Sequence, residues 1–163
     1  MRANAVGKSC SEVERAYIAG FLDADGAIMA VIERHREKRF GFRVRVALKV
    51  TQHDRKILDW IQRTLRAGIV RANRLGDTRQ TFDLHIRDRS DVRKVLEMMM
   101  PHLRVKIAQA RIAIQILDSD IKSEQDLIRN ARLADALSRF NVRSKNRRKN
   151  FVSKIQEHLS PND

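Results

Sequence analysis

The nine residues Ile18-Ala19-Gly20-Phe21-Leu22-Asp23-Ala24-Asp25-Gly26 constrain this chain more than any other segment. A helix is expected to lead into them. It starts at a capping box, Ser11 with Glu14 three residues on, and Val13, Tyr17, Gly20, Phe21 and Ala24 recur at helical spacing. Gly26 is its natural stop. Ala19, Gly20 and Ala24 carry almost no side chain, so a second helix backbone can approach this one closely, and a partner helix is expected there. The C-terminal end of a helix has free carbonyls and the negative pole of its dipole. With Asp25 these favour a cation, and oxygen ligands suit hard Mg²⁺ or Ca²⁺. The same Asp-Ala-Asp-Gly run also reads as a plain polar C-cap turn. An EF-hand is excluded, because placing Gly26 at loop position six puts Phe21 where the first carboxylate belongs.

Charge narrows the partner. The 34 Lys and Arg against 20 Asp and Glu leave a net charge of +14 over 163 residues, which calls for a polyanion, and nucleic acid leads the candidates. No apolar run approaches the ~20 residues that cross a bilayer, so no membrane partner is expected. The first residues lack the apolar centre of a secretory signal, and the one cysteine, Cys10, cannot form an intramolecular disulfide. An intracellular location is expected: cytoplasm, nucleoid or organelle, not secreted. A thiolate zinc site is missing, and His35, His53, His85, His102 and His158 show no ligand spacing.

The order of elements reads as an α+β fold. After the first helix come two extended runs, AIMAVIERH and FGFRVRVALKVTQ, split by a charged turn around Arg36 to Arg39. A helix over about Asp54 to Arg66 ends at Gly68. Two more strands follow, Ile69 to Leu75 and Gln80 to Arg87, joined at Gly76-Asp77. From Ser90 the pattern is helical: one segment to Met100, a break at Pro101, a segment through Leu117, another over Ser123 to Phe140, then a basic stretch and a short last helix. One domain over 1–163 is expected, with a core of about 11–120 and a helical extension of about 121–163.

The nonamer resembles the LAGLIDADG motif that names a family of intron-encoded homing endonucleases, and the element order around it is similar to that family's αββαββα core. The resemblance runs from about Ser11 to the basic stretch at Lys145 to Lys149. It implies a saddle-shaped four-stranded antiparallel sheet plus C-terminal helices, and motif helices from two core domains packed at a two-fold axis. Asp25 then binds divalent metal with the backbone carbonyl of Ala24, where relatives often have Gly. Mg²⁺ is the expected cofactor, with Ca²⁺ as a substitute that binds without supporting cleavage. Only one motif is present, so the second helix has to come from another copy; the resemblance implies a homodimer with Ala19, Gly20 and Asp23 at its interface. The implied substrate is a long, pseudo-palindromic duplex DNA cut on both strands across the minor groove with short 3′ overhangs. Gln52 matches the family's water-orienting residue, and also reads as a strand-end cap. Lys106 matches the lysine near the cleavage site, which stabilises phosphate charge or tunes a solvent nucleophile, and also reads as one more solvated lysine. Spacing does not choose between Arg55 and Lys56 as a further cation. No Ser-His-Asp or Cys-His constellation points to a covalent nucleophile.

The second strand shows how DNA can be read. Phe42, Val44, Val46, Leu48 and Val50 fall on one face, and Arg43, Arg45, Ala47, Lys49 and Thr51 on the other. A twisted ribbon fits the major groove, so Arg43, Arg45 and Lys49 are candidate base readers, the alternative being an ordinary solvated face. Glu33 and His35 share a face of the first strand. Arg71 with Asn73, and Asp83 and His85 with Thr81, form further polar faces and are second-rank DNA contacts. Lys145, Arg147, Arg148 and Lys149 suit phosphate clamping. The competing reading is a non-catalytic nucleic-acid binder: a maturase-like RNA helper or a DNA-binding regulator of the same fold. A small basic ribosomal or RNA-packaging protein is the more distant alternative.

Overall fold

The computed structural model describes residues 10–73, 80–141 and 149–160. Elements run α1 (Glu12–Asp25), β1 (Gly26–Arg34), β2 (Phe42–Gln52), α2 (Arg55–Leu65), β3 (Ile69–Asn73), β4 (Thr81–Ile86), α3 (Arg89–Met99), a 3₁₀ turn (Met100–His102), α4 (Ile107–Asp118), α5 (Glu124–Asn141) and α6 (Phe151–Leu159). This is the expected αββαββα order followed by three further helices. The expected turn at Gly76-Asp77 and the basic residues Lys145, Arg147 and Arg148 lie outside the described residues.

Helix ends follow local chemistry. The capping box at α1 is formed: the Ser11 amide donates to Glu14 Oε2 at 2.7 Å, and the Glu14 amide donates to Ser11 Oγ at 3.3 Å. Asp54 and Asp88 accept the first free amides of α2 and α3 in the same way. Gly26 ends α1 differently from expectation. Its backbone is extended at φ −84° and already belongs to β1, and glycine is required because a Cβ there would collide with the side chain and carbonyl of Leu22. The end of α2 also moves. The helix stops at Leu65, Arg66 takes the left-handed cap conformation at φ 50°, and Gly68 at φ +84° lies so close to β4 that a Cβ would stand 2.6 Å from the His85 carbonyl.

The four strands form one antiparallel sheet in the order β1-β2-β4-β3. Its register sets Gly26 opposite Val50 and Arg34 opposite Phe42, then Leu48 opposite Ile86 and Gln52 opposite Phe82, then Ile69 opposite His85 and Asn73 opposite Thr81. Period-two alternation therefore separates two faces. One carries Ile28, Ala30, Ile32, Phe42, Val46, Leu48, Val50, Leu84 and Ile86, all buried. Against it pack the helices, with Leu58, Ile61, Leu96, Met99, Ile116, Leu127 and Leu137 closing the core. Truncating any of the large ones to alanine costs about 2–5 kcal/mol. The other face carries the alternate residues and is left open by the helices.

The C-terminal helices are tied to this layer. α5 packs on β1 and α4, and α6 packs on α5. At the end of α5 the Asn141 side chain donates to the Ile28 carbonyl at 2.6 Å. Buried Asp135 accepts the Phe151 and Val152 amides at 2.6 and 3.2 Å, capping α6 from a neighbouring helix.

Candidate active site and nucleic-acid interface

α1 presents two apolar stripes, and they do different work. Ile18, Ala19 and Leu22 enter the chain's own core beside α3 and the 3₁₀ turn. Val13 is 78% exposed and Tyr17 51% exposed; Ala24 is exposed, and a Cβ built on Gly20 meets nothing within 4 Å. The outward stripe is therefore Val13, Tyr17, Gly20 and Ala24. Ala19 is removed from the expected helix-helix interface, because it is fully buried in its own chain and keeps no surface for a partner. Asp23 is likewise engaged within its chain. Its Oδ2 accepts the Arg104 and Val105 amides at 2.7 and 3.2 Å, and its Oδ1 accepts the Lys106 amide at 2.8 Å. Burial opposes its ionisation, but those three amides and the Lys106 charge outweigh burial and hold its pKa below the usual carboxylate value.

Three residues far apart in sequence converge on the tip of α1. Because Gly26 pairs with Val50, the end of β2 lies beside the end of α1, and Gln52 Nε2 donates to Asp25 Oδ2 at 2.6 Å. The loop that Asp23 secures brings in Lys106, whose ammonium donates to the Asp23 main-chain carbonyl. Asp25 and Ala24 are exposed on the last turn, where helix carbonyls lack intrahelical partners. Of the two neighbouring cations, Arg55 is paired with Asp59 at 3.3 Å and lies over the Phe82 ring, while Lys56 makes no ion pair among the described residues.

The open sheet face is basic, and two of its cations, Arg45 and Lys49, are ion-paired. Arg43 is exposed and Arg45 is ion-paired with Glu33. The Glu33 carboxylate is thus committed to a cation and holds Arg45 in place, a role different from accepting directly from cytosine. On the inner strands Asp83 is only 6% exposed and collects its neighbours: Lys49 Nζ at 2.8 Å, the Thr51 hydroxyl at 2.6 Å and His85 Nε2 at 3.6 Å. This corrects its reading as a surface DNA contact, since its oxygens are occupied beneath the face. Burial raises its pKa, but hydrogen bonds from Lys49 and Thr51 and the charges of Lys49 and His85 prevail, and the net shift is downward. His85 is shifted down by burial and by the Arg87 and Lys49 charges, against the opposing pull of Asp83, so its surroundings favour the uncharged ring. Arg71 is exposed and Asn73 half-buried at the β3 edge; His35 Nδ1, at the end of β1, is buried without a hydrogen-bond partner.

Sequence reasoning placed Thr51 on this face from the alternation of β2 but gave it no role, and it passed over Arg87 and Ile69. Arg87 sits 3.4 Å from His85 Nδ1, and Ile69 lies 54% exposed in line with Arg71 and Asn73.

An acidic helix tip set against an open basic sheet, with the described helices packed on the opposite face, is an architecture suited to processing nucleic acid, and its family is identified by similarity. The chain belongs to the LAGLIDADG endonuclease family, whose model matches residues 18–106. It is 33% identical over 128 residues to the DNA endonuclease I-CvuI of Chlorella vulgaris, spanning 76% of this chain and 77% of that protein. It is 27% identical over 104 residues to the DNA endonuclease I-CreI of Chlamydomonas reinhardtii, spanning 63% and 61%. Among solved structures, I-CvuI in complex with the I-CreI target in the presence of Mg superposes with a TM-score of 0.79 and 30% identity over 91% of this chain and 93% of that one.

Proposed function

We propose that this chain is one subunit of a homodimeric, Mg²⁺-dependent homing endonuclease that hydrolyses both strands of a long, pseudo-palindromic DNA duplex and leaves short 3′ overhangs. The observation that carries the reading is the tip of α1: Asp25 held by Gln52, with Lys106 docked two residues away, beside a helix stripe left bare by its own chain. Two such stripes packed together bring two Asp25 tips to one axis. Small residues at Gly20 and Ala24 permit the close approach.

The donor set fits a hard divalent cation. Asp25 offers a carboxylate oxygen not engaged by Gln52, and the last turn supplies carbonyl oxygen at Ala24. Among the described residues no three acidic, His or Cys side chains cluster to hold a metal, so a full ligand set requires the second copy or the DNA itself. The cation, when bound, neutralises phosphate charge and lowers the pKa of water. Gln52 orients Asp25 through its amide N–H and keeps its amide oxygen free to accept from water. Lys106 keeps protons beyond the one donated to the Asp23 carbonyl and offers them to the negative charge that develops on the phosphate. Tyr17 is not a nucleophile for this reaction: it lies two turns up the helix, edge-on to Trp60 with ring centroids 5.6 Å apart.

Arg43, Arg45, Lys49, Arg71 and Asn73 on the open face are the proposed base contacts, and Lys145, Arg147 and Arg148 the proposed phosphate contacts. The test is Asp25→Asn. Mg²⁺-dependent duplex cleavage is expected to vanish while specific binding, measured in Ca²⁺, is largely kept, since the base contacts lie on the sheet and not at the tip of α1. Undiminished cutting by this variant removes Asp25 from the metal site.

A further inference from the structure

By charge alone, every cation on the open face would serve the phosphate backbone, since the chain carries an excess of 14 positive charges. Lys49 does not fit that role. Its ammonium is 2.8 Å from Asp83, and the paired charges cancel at the distance of a DNA backbone. What the pair retains is geometry. Lys49 stands opposite His85 in the register and leans diagonally to Asp83, which stands opposite Thr51 on one side and Arg71 on the other. The carboxylate therefore sits at the centre of the β2-β4-β3 surface, anchored a second time by the Thr51 hydroxyl at 2.6 Å. A lysine on a four-carbon stem normally gives up much rotamer freedom when it contacts a base. Here that freedom is surrendered in the folded protein, before any partner arrives.

Resting on the proposal that this face enters the major groove, we infer that Asp83 is a positioning residue for sequence discrimination: it fixes Lys49 so that the remaining ammonium protons meet the O6 and N7 acceptors of a guanine. The arrangement trades electrostatic affinity for selectivity. A buried carboxylate under a DNA-facing surface repels phosphates at every sequence, and it rewards only the base pair that offers acceptors where Lys49 points. Thr51 donates its proton to Asp83, so its oxygen faces the groove as an acceptor.

Asp83→Asn separates the two effects because the side chain keeps its shape and loses its charge. Binding is measured in Ca²⁺ against the preferred duplex, single-base-pair variants of it and a random duplex, over a series of salt concentrations. Discrimination at one symmetric pair of positions is expected to fall about tenfold. Affinity for the random duplex is expected to rise, and the slope of log affinity against log salt to steepen by about one unit as Lys49 becomes free to pair with phosphate. Thr51→Val, which removes one anchor, is expected to shift both quantities in the same direction by less. In the double variant Lys49→Ala/Asp83→Asn, discrimination should fall no further than in Lys49→Ala alone. A parallel loss of affinity for preferred and random duplexes would mark a merely structural carboxylate and overturn the inference, as would unchanged discrimination. A parent chain with no sequence preference overturns the reading of the face itself.

Discussion

Replacing Asp23 by asparagine tests how the site is assembled. The carboxylate accepts three backbone amides, from Arg104 and Val105 through Oδ2 and from Lys106 through Oδ1. Asparagine keeps one acceptor oxygen and presents an N–H where the other stood, so at least one of the three amides loses its partner and the rest bond a neutral group. Hydrogen bonds to a charged group contribute about 1.5–3 kcal/mol each, and the turn is exposed enough for water to replace part of the loss. The net cost is about 2 kcal/mol. For a chain of this length that lowers Tm by about 4–8 °C. The pH dependence is specific. The folded-state pKa of Asp23 is depressed, so its stabilisation is complete above the unfolded carboxylate value of about 4 and is lost as pH falls through the folded value. Thermal denaturation of parent and variant across pH 7 to 3 should show a Tm gap that is constant above about pH 5 and narrows in acid. Because the same turn seats Lys106 against the Asp23 carbonyl, cleavage should fall together with stability. A gap that persists undiminished at pH 3, or a variant as stable as the parent at pH 7, refutes this account of the turn.

Other outcomes follow from the same geometry. Lys106→Met should lower the cleavage rate about 10²-fold while duplex affinity in Ca²⁺ changes little, as for removal of one donor to developing charge; single-turnover kinetics separates the two. Asp135→Ala uncaps α6 from inside the protein, with an expected cost of about 1–2 kcal/mol and faster amide exchange at Phe151 and Val152 than at the core strands.

Short-range chemistry was the legible part of this molecule. The capping box at Ser11, the alternation of β2 and the stop before Pro101 all depend on neighbours in sequence, and each appears where expected. The two stripes of α1 were not separable, because Ile18-Ala19-Leu22 and Val13-Tyr17-Gly20-Ala24 both obey helical spacing and only packing decides which is covered. The partners of Asp23 and Asp83 were hidden for a related reason. One carboxylate is taken up by amides 81 to 83 residues away, the other by a hydroxyl 32 residues away, and no local pattern announces either. Asp25, Gln52 and Lys106 were singled out by family resemblance, and the fold gives that choice a physical basis by gathering them at one helix end. The boundary of α2 slipped because Arg66, an ordinary residue, supplies the left-handed cap that glycine was expected to supply at Gly68.

Association of two chains through the bare stripe of α1 is the claim on which the rest depends, and mass in solution tests it most directly. Sedimentation of the purified protein is expected to give twice the 18.9 kDa of one chain, and on a target duplex that mass added to the mass of the DNA. Gly20→Leu, at a position where a Cβ meets no atom of its own chain within 4 Å, should leave the circular dichroism spectrum unchanged and give one chain that no longer cuts. A parent protein that binds its duplex as one 18.9 kDa chain and still cleaves both strands contradicts the account.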